Sequence, residues 1–107
     1  MITRIALFIG TVRPGAEDQM RRYVDDELAP LWRQFDGAAA VRVLWNVKGD
    51  PNGQTIPLAL QVDYETRNDI DRAMASPARY ESRDMLPGFY DAYWEHVRLE
   101  HHEFEVG

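Results

Sequence analysis

DDELAPLWRQFDGAAAVRVLWNV, residues Asp25 to Val47, carries the end of a helix, a stop and the start of a strand, and its reading decides the fold. Met20, Tyr23 or Val24, Leu28, Leu31, Trp32 and Phe35 fall at helical spacing, which predicts an amphipathic helix from Ala16 with one buried stripe. Glu17 and Asp18 suit its positive N-terminal end. Pro30 removes a backbone donor and crowds the carbonyl four residues back, so a kink or a short second helix is expected near Ala29. Asp36-Gly37 supplies the stop, because glycine takes the left-handed conformation that helix ends require. From Ala39 to Lys48 the alternation predicts a strand, with Val41, Val43, Trp45 and Val47 on one face and Arg42, Leu44 and Asn46 on the other.

Before this stretch, Thr3 to Val12 reads as a strand with Ile5, Leu7 and Ile9 on one face and Ala6 and Phe8 on the other. Both faces are apolar, as in the middle of a sheet. After it, Gly49-Asp50-Pro51-Asn52-Gly53 signals a turn, so a hairpin should lead to a third strand over Ile56 to Tyr64. There Leu58, Leu60 and Val62 alternate with Ala59, Gln61 and Asp63. A short helix should end near Ala75. Ser76 and Pro77 read as the cap and first position of another, with a break at Pro87-Gly88. The last strand is expected from about His96 to Val106.

The order is β-α-β-β-α-β over a single domain, residues 1–107, with no repeats and no linker. This is an α+β class pattern: a ferredoxin-like sandwich with a four-stranded antiparallel sheet and helices on one face. Helices enough for one face leave the other bare. Phe8, Leu44 and Ala59, with Ala6, are expected on that bare face, and an apolar patch of this kind marks an interface or a ligand site. A homodimer that packs two such faces together, as in a dimeric α/β barrel, resolves the exposure and can enclose a cavity.

A chain of 107 residues can bury one modest core, roughly 65% of its extended surface. With 18 acidic against 12 basic side chains, the net charge of -6 repels phosphate backbones and anionic lipid, so neither nucleic acid nor membrane is an expected partner. The apolar run Ile5 to Ile9 is too short for a signal segment or a membrane span. Together with the absence of cysteine, this gives a cytoplasmic protein as the expectation.

The Ala29-Pro30-Leu31 step late in the first helix, Asp36-Gly37 before the second strand, and the Ser76-Pro77 opening followed by Asp84 and Phe89 resemble the dimeric α/β-barrel superfamily, most of all its EthD-like members. Glu81-Ser82-Arg83-Asp84 is more loosely similar to the REDY-like proteins of pigment biosynthesis. The resemblance covers nearly the whole chain and implies a homodimer. Its functional range includes cofactor-free monooxygenases, lactone isomerases, polyketide cyclases and haem-degrading enzymes. EthD-like proteins often carry a histidine two residues before the proline of the first helix, where this chain has Leu28.

Candidate site residues follow from the alternation. If Leu58, Leu60 and Val62 face the helices, the opposite face offers Gln61 and Asp63 from the third strand, Arg42 and Asn46 from the second, and a histidine from the fourth. An apolar pocket with a few convergent polar groups is the usual make-up of a small-molecule site. For Arg42 and Asp63 a rim ion pair of small energetic weight is the more ordinary reading, ahead of a catalytic one. His101 and His102 are the candidate acid or base, since imidazole titrates near neutral pH. Adjacent in a strand, they point to opposite faces and cannot chelate one metal, and the chain has no cysteine. No metal is expected, and without a glycine-rich phosphate loop no cofactor. The apolar parity changes between Leu99 and Phe104, so a β-bulge is expected near His102 and Glu103. Tyr23 and Phe8, among many aromatics, offer stacking surfaces for a planar ligand, although such residues more often form core.

Two functions follow. One is a cofactor-free enzyme of the isomerase, cyclase or monooxygenase type, acting on a hydrophobic, oxygenated small molecule held between sheet and helices or between two sheets. The other is a non-catalytic dimer that binds such a ligand or merely assembles.

Overall fold

In the computed structural model, which describes residues 1–107, the strand that is apolar on both faces takes the inner place the alternation assigns it. β1 (Ile2–Val12) lies between β3 (Leu58–Tyr64) and β4 (Trp94–Glu105), and β2 (Ala40–Trp45) forms the other edge. The sheet order is β2-β3-β1-β4 and every pairing is antiparallel. With the helices this is the ferredoxin-like arrangement.

The first helical region is composite. α1 (Glu17–Tyr23) passes into a π-helical turn (Val24–Leu28) and then into α2 (Ala29–Trp32). Here the Ala29 N–H donates to the Val24 carbonyl five residues back, and Pro30, which has no N–H to give, enters at the second position of α2. The break expected near Ala29 thus takes the form of a widened turn. Gly37 follows at φ +80°, and a Cβ there would sit 2.9 Å from the Asp69 carbonyl oxygen. Only glycine lets this loop lie on α3 (Arg67–Met74).

α3 is closed by a capping box. The Asp69 N–H donates to Thr66 Oγ1 at 3.2 Å and the Thr66 N–H donates to Asp69 Oδ2 at 3.2 Å. Ser76 holds the N-cap place of α4 (Pro77–Tyr93), yet its hydroxyl donates backward to the Ala73 carbonyl at 2.7 Å and caps nothing. α4 runs unbroken through Pro87-Gly88, against the break expected there. Both residues lie on the solvent side, where water can serve the carbonyl that Pro87 leaves without a donor.

Three further expectations are corrected by register. Ala6 pairs with Leu60 and Phe8 with Leu58, so Ala6 and Phe8 face the helices and are buried, not on the bare face. Phe8 is in the middle of the core, with ring centroids 6.2 Å from Phe89 and 6.3 Å from both Trp32 and Trp94. The β1–β4 register is continuous from Glu105 to His96 and shifts only at Thr11/Val12, so the irregularity lies beside Glu95 and not at His102. Val97, Leu99 and His101 share the helix-facing side, while Phe104 remains on the bare side. Lastly, the β2–β3 connection is longer than the hairpin expected, occupying residues 46–57. The Asn46 N–H still donates to the Pro57 carbonyl at 3.0 Å, and the turn itself closes from Gly53 N–H to the Asp50 carbonyl at 3.0 Å.

The bare face carries Ile5, Leu7 and Ile9 from β1, with Leu44 and Ala59 on β2 and β3. Between them run two polar groups. Arg42 Nη1 donates to Asp63 Oδ2 at 2.8 Å and Gln61 Nε2 to Thr3 Oγ1 at 3.2 Å. On β4, Glu100 is paired with both Arg98 and His102.

Candidate functional site

Between the sheet and the helices lies a cavity of about 240 Å³. Its floor is apolar: Ala6 and Phe8 of β1, Leu60 and Val62 of β3 and Leu99 of β4. Trp32, Phe35, Met74 and Leu86 form the apolar part of the opposite wall. These side chains are the natural consequence of two amphipathic layers meeting, but they do not close over one another completely.

The polar groups of the cavity are few. Arg4, Tyr64 and His101 come from the sheet, and Arg79, Ser82 and Arg83 from α4. Arg79, Ser82, Arg83 and Leu86 follow the i, i+3, i+4, i+7 rule, so one helical stripe presents all four. Arg4 Nη1 donates to Glu103 Oε2 at 2.7 Å, and Arg67 Nη1 donates to the other oxygen of that carboxylate at 2.8 Å. The two guanidiniums hold the Glu103 carboxyl below the usual carboxylate range, Arg67 most strongly. Ser82 is satisfied within its helix, its hydroxyl donating to the Arg79 carbonyl at 2.9 Å.

Tyr64 is fully buried and its hydroxyl has no hydrogen-bond partner. Burial pushes its pKa up to about 12, so the phenol stays protonated and is an unused donor. His101 stands at the wall with part of its ring open to solvent. Desolvation by the surrounding protein, helped by Arg4 and Arg79, lowers its pKa, so its imidazole is neutral at pH 7. A neutral imidazole beside an apolar cavity can accept a proton from a bound molecule.

Of the residues singled out from sequence, the cavity gathers His101 and Phe8. His102 is on the bare face, its Nε2 2.6 Å from Glu100 Oε1. Arg42, Gln61 and Asp63 lie on that face too, where Arg42, followed by Thr3, lowers the Asp63 pKa. Asn46 sits at the end of β2 and donates from Nδ2 to the Ile56 carbonyl at 2.9 Å. Tyr23 stacks on Phe89 at 5.6 Å with a 12° interplanar angle, outside the cavity. Leu28, at the place of the EthD-like histidine, is buried in the core. Arg4, Arg79 and Arg83 were not singled out from sequence, although the stripe Arg79, Ser82, Arg83 and Leu86 lies wholly before Pro87 and was open to helical periodicity.

No group of three or more His, Cys, Asp or Glu side chains is placed to hold a metal ion. No helix is long and apolar enough to cross a membrane.

No protein-family model matches the chain, and no curated protein matches it. Solved structures do. An EthD family protein from Bacillus halodurans C-125 is 21% identical, with TM-score 0.71 over 98% of this chain and 99% of that one. A dimeric protein of unknown function and ferredoxin-like fold from Bacteroides fragilis NCTC 9343 is 14% identical, with TM-score 0.58 over 96% and 95%. A DABB family protein with a ferredoxin-like fold from Mesorhizobium loti MAFF303099 is 8% identical, with TM-score 0.64 over 99% and 98%. The chain therefore has the ferredoxin-like α+β fold over its whole length.

Proposed function

We propose that this chain is a homodimer, paired through the bare face of its sheet, whose cavity between sheet and helices binds a hydrophobic, oxygenated small molecule and moves a proton on it through His101. The observation that carries the reading is a cavity of about 240 Å³, apolar on most of its wall, with an imidazole kept neutral beside it. In this role His101 takes a proton from a carbon next to a carbonyl and returns it at another atom, the cofactor-free chemistry of isomerases and cyclases. A monooxygenase would deliver the same carbanion to dioxygen. Pairing through the bare face is supported by Leu44, exposed there, with Ile5 and Leu7 only partly covered beside it, and by a structural neighbour that is itself dimeric.

The test has two steps. Mass spectrometry of gently purified protein identifies a retained ligand, and turnover is then followed with it. His101→Gln should lower the rate by about 10²-fold with the fold intact, the low end for a general acid or base. His102→Gln, on the other face, should do little. Equal rates in parent and His101→Gln would defeat the catalytic assignment. One observation favours a second reading, a binding dimer without catalysis: no side-chain hydrogen bond orients the His101 ring. Saturable binding of the retained ligand with no turnover would establish that alternative.

A further inference from the structure

Although the whole chain is acidic at -6, the cavity is lined by three arginines and a histidine and by no aspartate or glutamate. Only Arg4 has a close carboxylate, and it shares Glu103 with Arg67. Arg79 has no carboxylate partner, and Arg83 has only a long, exposed ion pair. Arg79 Nη1 donates to the Met74 carbonyl at 3.2 Å, while Arg83 comes no nearer than 3.6 Å to Asp84, its exposed neighbour in sequence. Both guanidiniums lie over the Tyr80 ring, at 5.5 and 5.1 Å from its centroid. This stacking keeps two planar forks together beside an apolar chamber. Deeper in, the Tyr64 hydroxyl is buried without a partner.

We infer that the cavity selects an anion: a hydrophobic molecule bearing one carboxylate or enolate, its charged oxygens met by Arg79 and Arg83 and by the Tyr64 hydroxyl, its body against Phe8, Leu60 and Leu99. The inference rests on the cavity being a small-molecule site and adds the charge class of the ligand. Charge-assisted bonds to a carboxylate are the strong ones, and arginine forks match its two oxygens. An orphaned buried donor costs free energy until something accepts from it. A ligand oxygen is the acceptor that the protein itself does not provide.

The probes are 2-naphthoate and its neutral, near-isosteric amide, 2-naphthamide. A dry cavity of about 150 Å³ holds a single benzene ring, so the larger chamber here suits a two-ring body. Calorimetry at low salt should give naphthoate at least about tenfold the affinity of the amide. In the doubly substituted Arg79→Gln/Arg83→Gln protein that preference should fall below about threefold, because both side chains reach solvent and their loss leaves the fold intact. Tyr64→Phe should weaken naphthoate several-fold while thermal stability is kept or raised, a split that a purely structural hydroxyl would not produce. Amide binding as tight as naphthoate, or a preference that survives the double substitution, overturns the anion assignment and leaves the cavity reading standing. Failure of both probes to bind overturns the two together.

Discussion

Gly10 lies in β1 where β4 comes unusually close. A Cβ built there would sit 2.1 Å from the His96 carbonyl oxygen and 2.8 Å from the Val97 Cα, against the 3.4–4 Å of ordinary contact. Both obstacles are backbone, so no rotamer can relieve them, and Gly10→Ala has to move one inner strand against its neighbour by more than an ångström. Overpacking of side chains costs about 1–3 kcal/mol, and a clash with strand backbone belongs at or above the top of that range. A domain of this size has only about 5–15 kcal/mol in hand. With a urea slope of about 1–3 kcal/mol/M, a loss of about 3 kcal/mol lowers the unfolding midpoint by roughly 1–3 M. Gly88→Ala is the matched control. It lies within α4 with nothing within 4 Å of its built Cβ and no positive φ, so the same added methyl should stabilise by about 1 kcal/mol through helix propensity. Urea melts followed by tryptophan fluorescence read both. A Gly10→Ala midpoint equal to the parent's, or a Gly88→Ala midpoint below it, would refute the packing argument.

The acid limb of stability should depend on Asp63. Its folded pKa is depressed by Arg42 and then Thr3, so the stability it adds is complete above the ordinary carboxylate value and is lost as pH falls through the lower folded value. Asp63→Asn should therefore be less stable than the parent at pH 6, with the gap narrowing below about pH 4, measured by urea midpoints; a gap independent of pH rules this out. Any proton transfer by His101 should rise with pH along a limb whose midpoint lies below 6.5 and be flat above neutrality, since burial and nearby arginines favour the neutral ring; a midpoint above 7 contradicts the site geometry. Leu44→Asp places a charge at an exposed apolar position of the bare face, on its edge strand β2, and should convert a species of twice the chain mass to one of single mass in light scattering at micromolar concentration. A parent that is already monomeric removes the dimer.

By itself the sequence determined which elements exist, because the signals that make them are local. Helical spacing through Trp32, the period-two run from Leu58 to Val62 and the Pro77 start each act within a few residues, and together they order the chain as β-α-β-β-α-β, although the helix ends at Trp32, ahead of the stop expected at Gly37. Tertiary structure decided which way those elements face. Both sides of β1 are apolar, so nothing local could place Ala6 and Phe8; their pairing with Leu60 and Leu58 turns them to the helices. The same register leaves Phe104 outside with no bulge at His102, and sends His101 to the cavity while His102 goes to the bare face. Pro87 was misleading because its cost depends on whether its side of the helix meets water, which only packing settles. Arg4, Tyr64, Arg79 and Arg83 read singly as ordinary surface or core residues. They line one cavity because a β-sheet and a helix, far apart in sequence, leave an unfilled volume between them, and volume is a property of the packed layers rather than of any one segment.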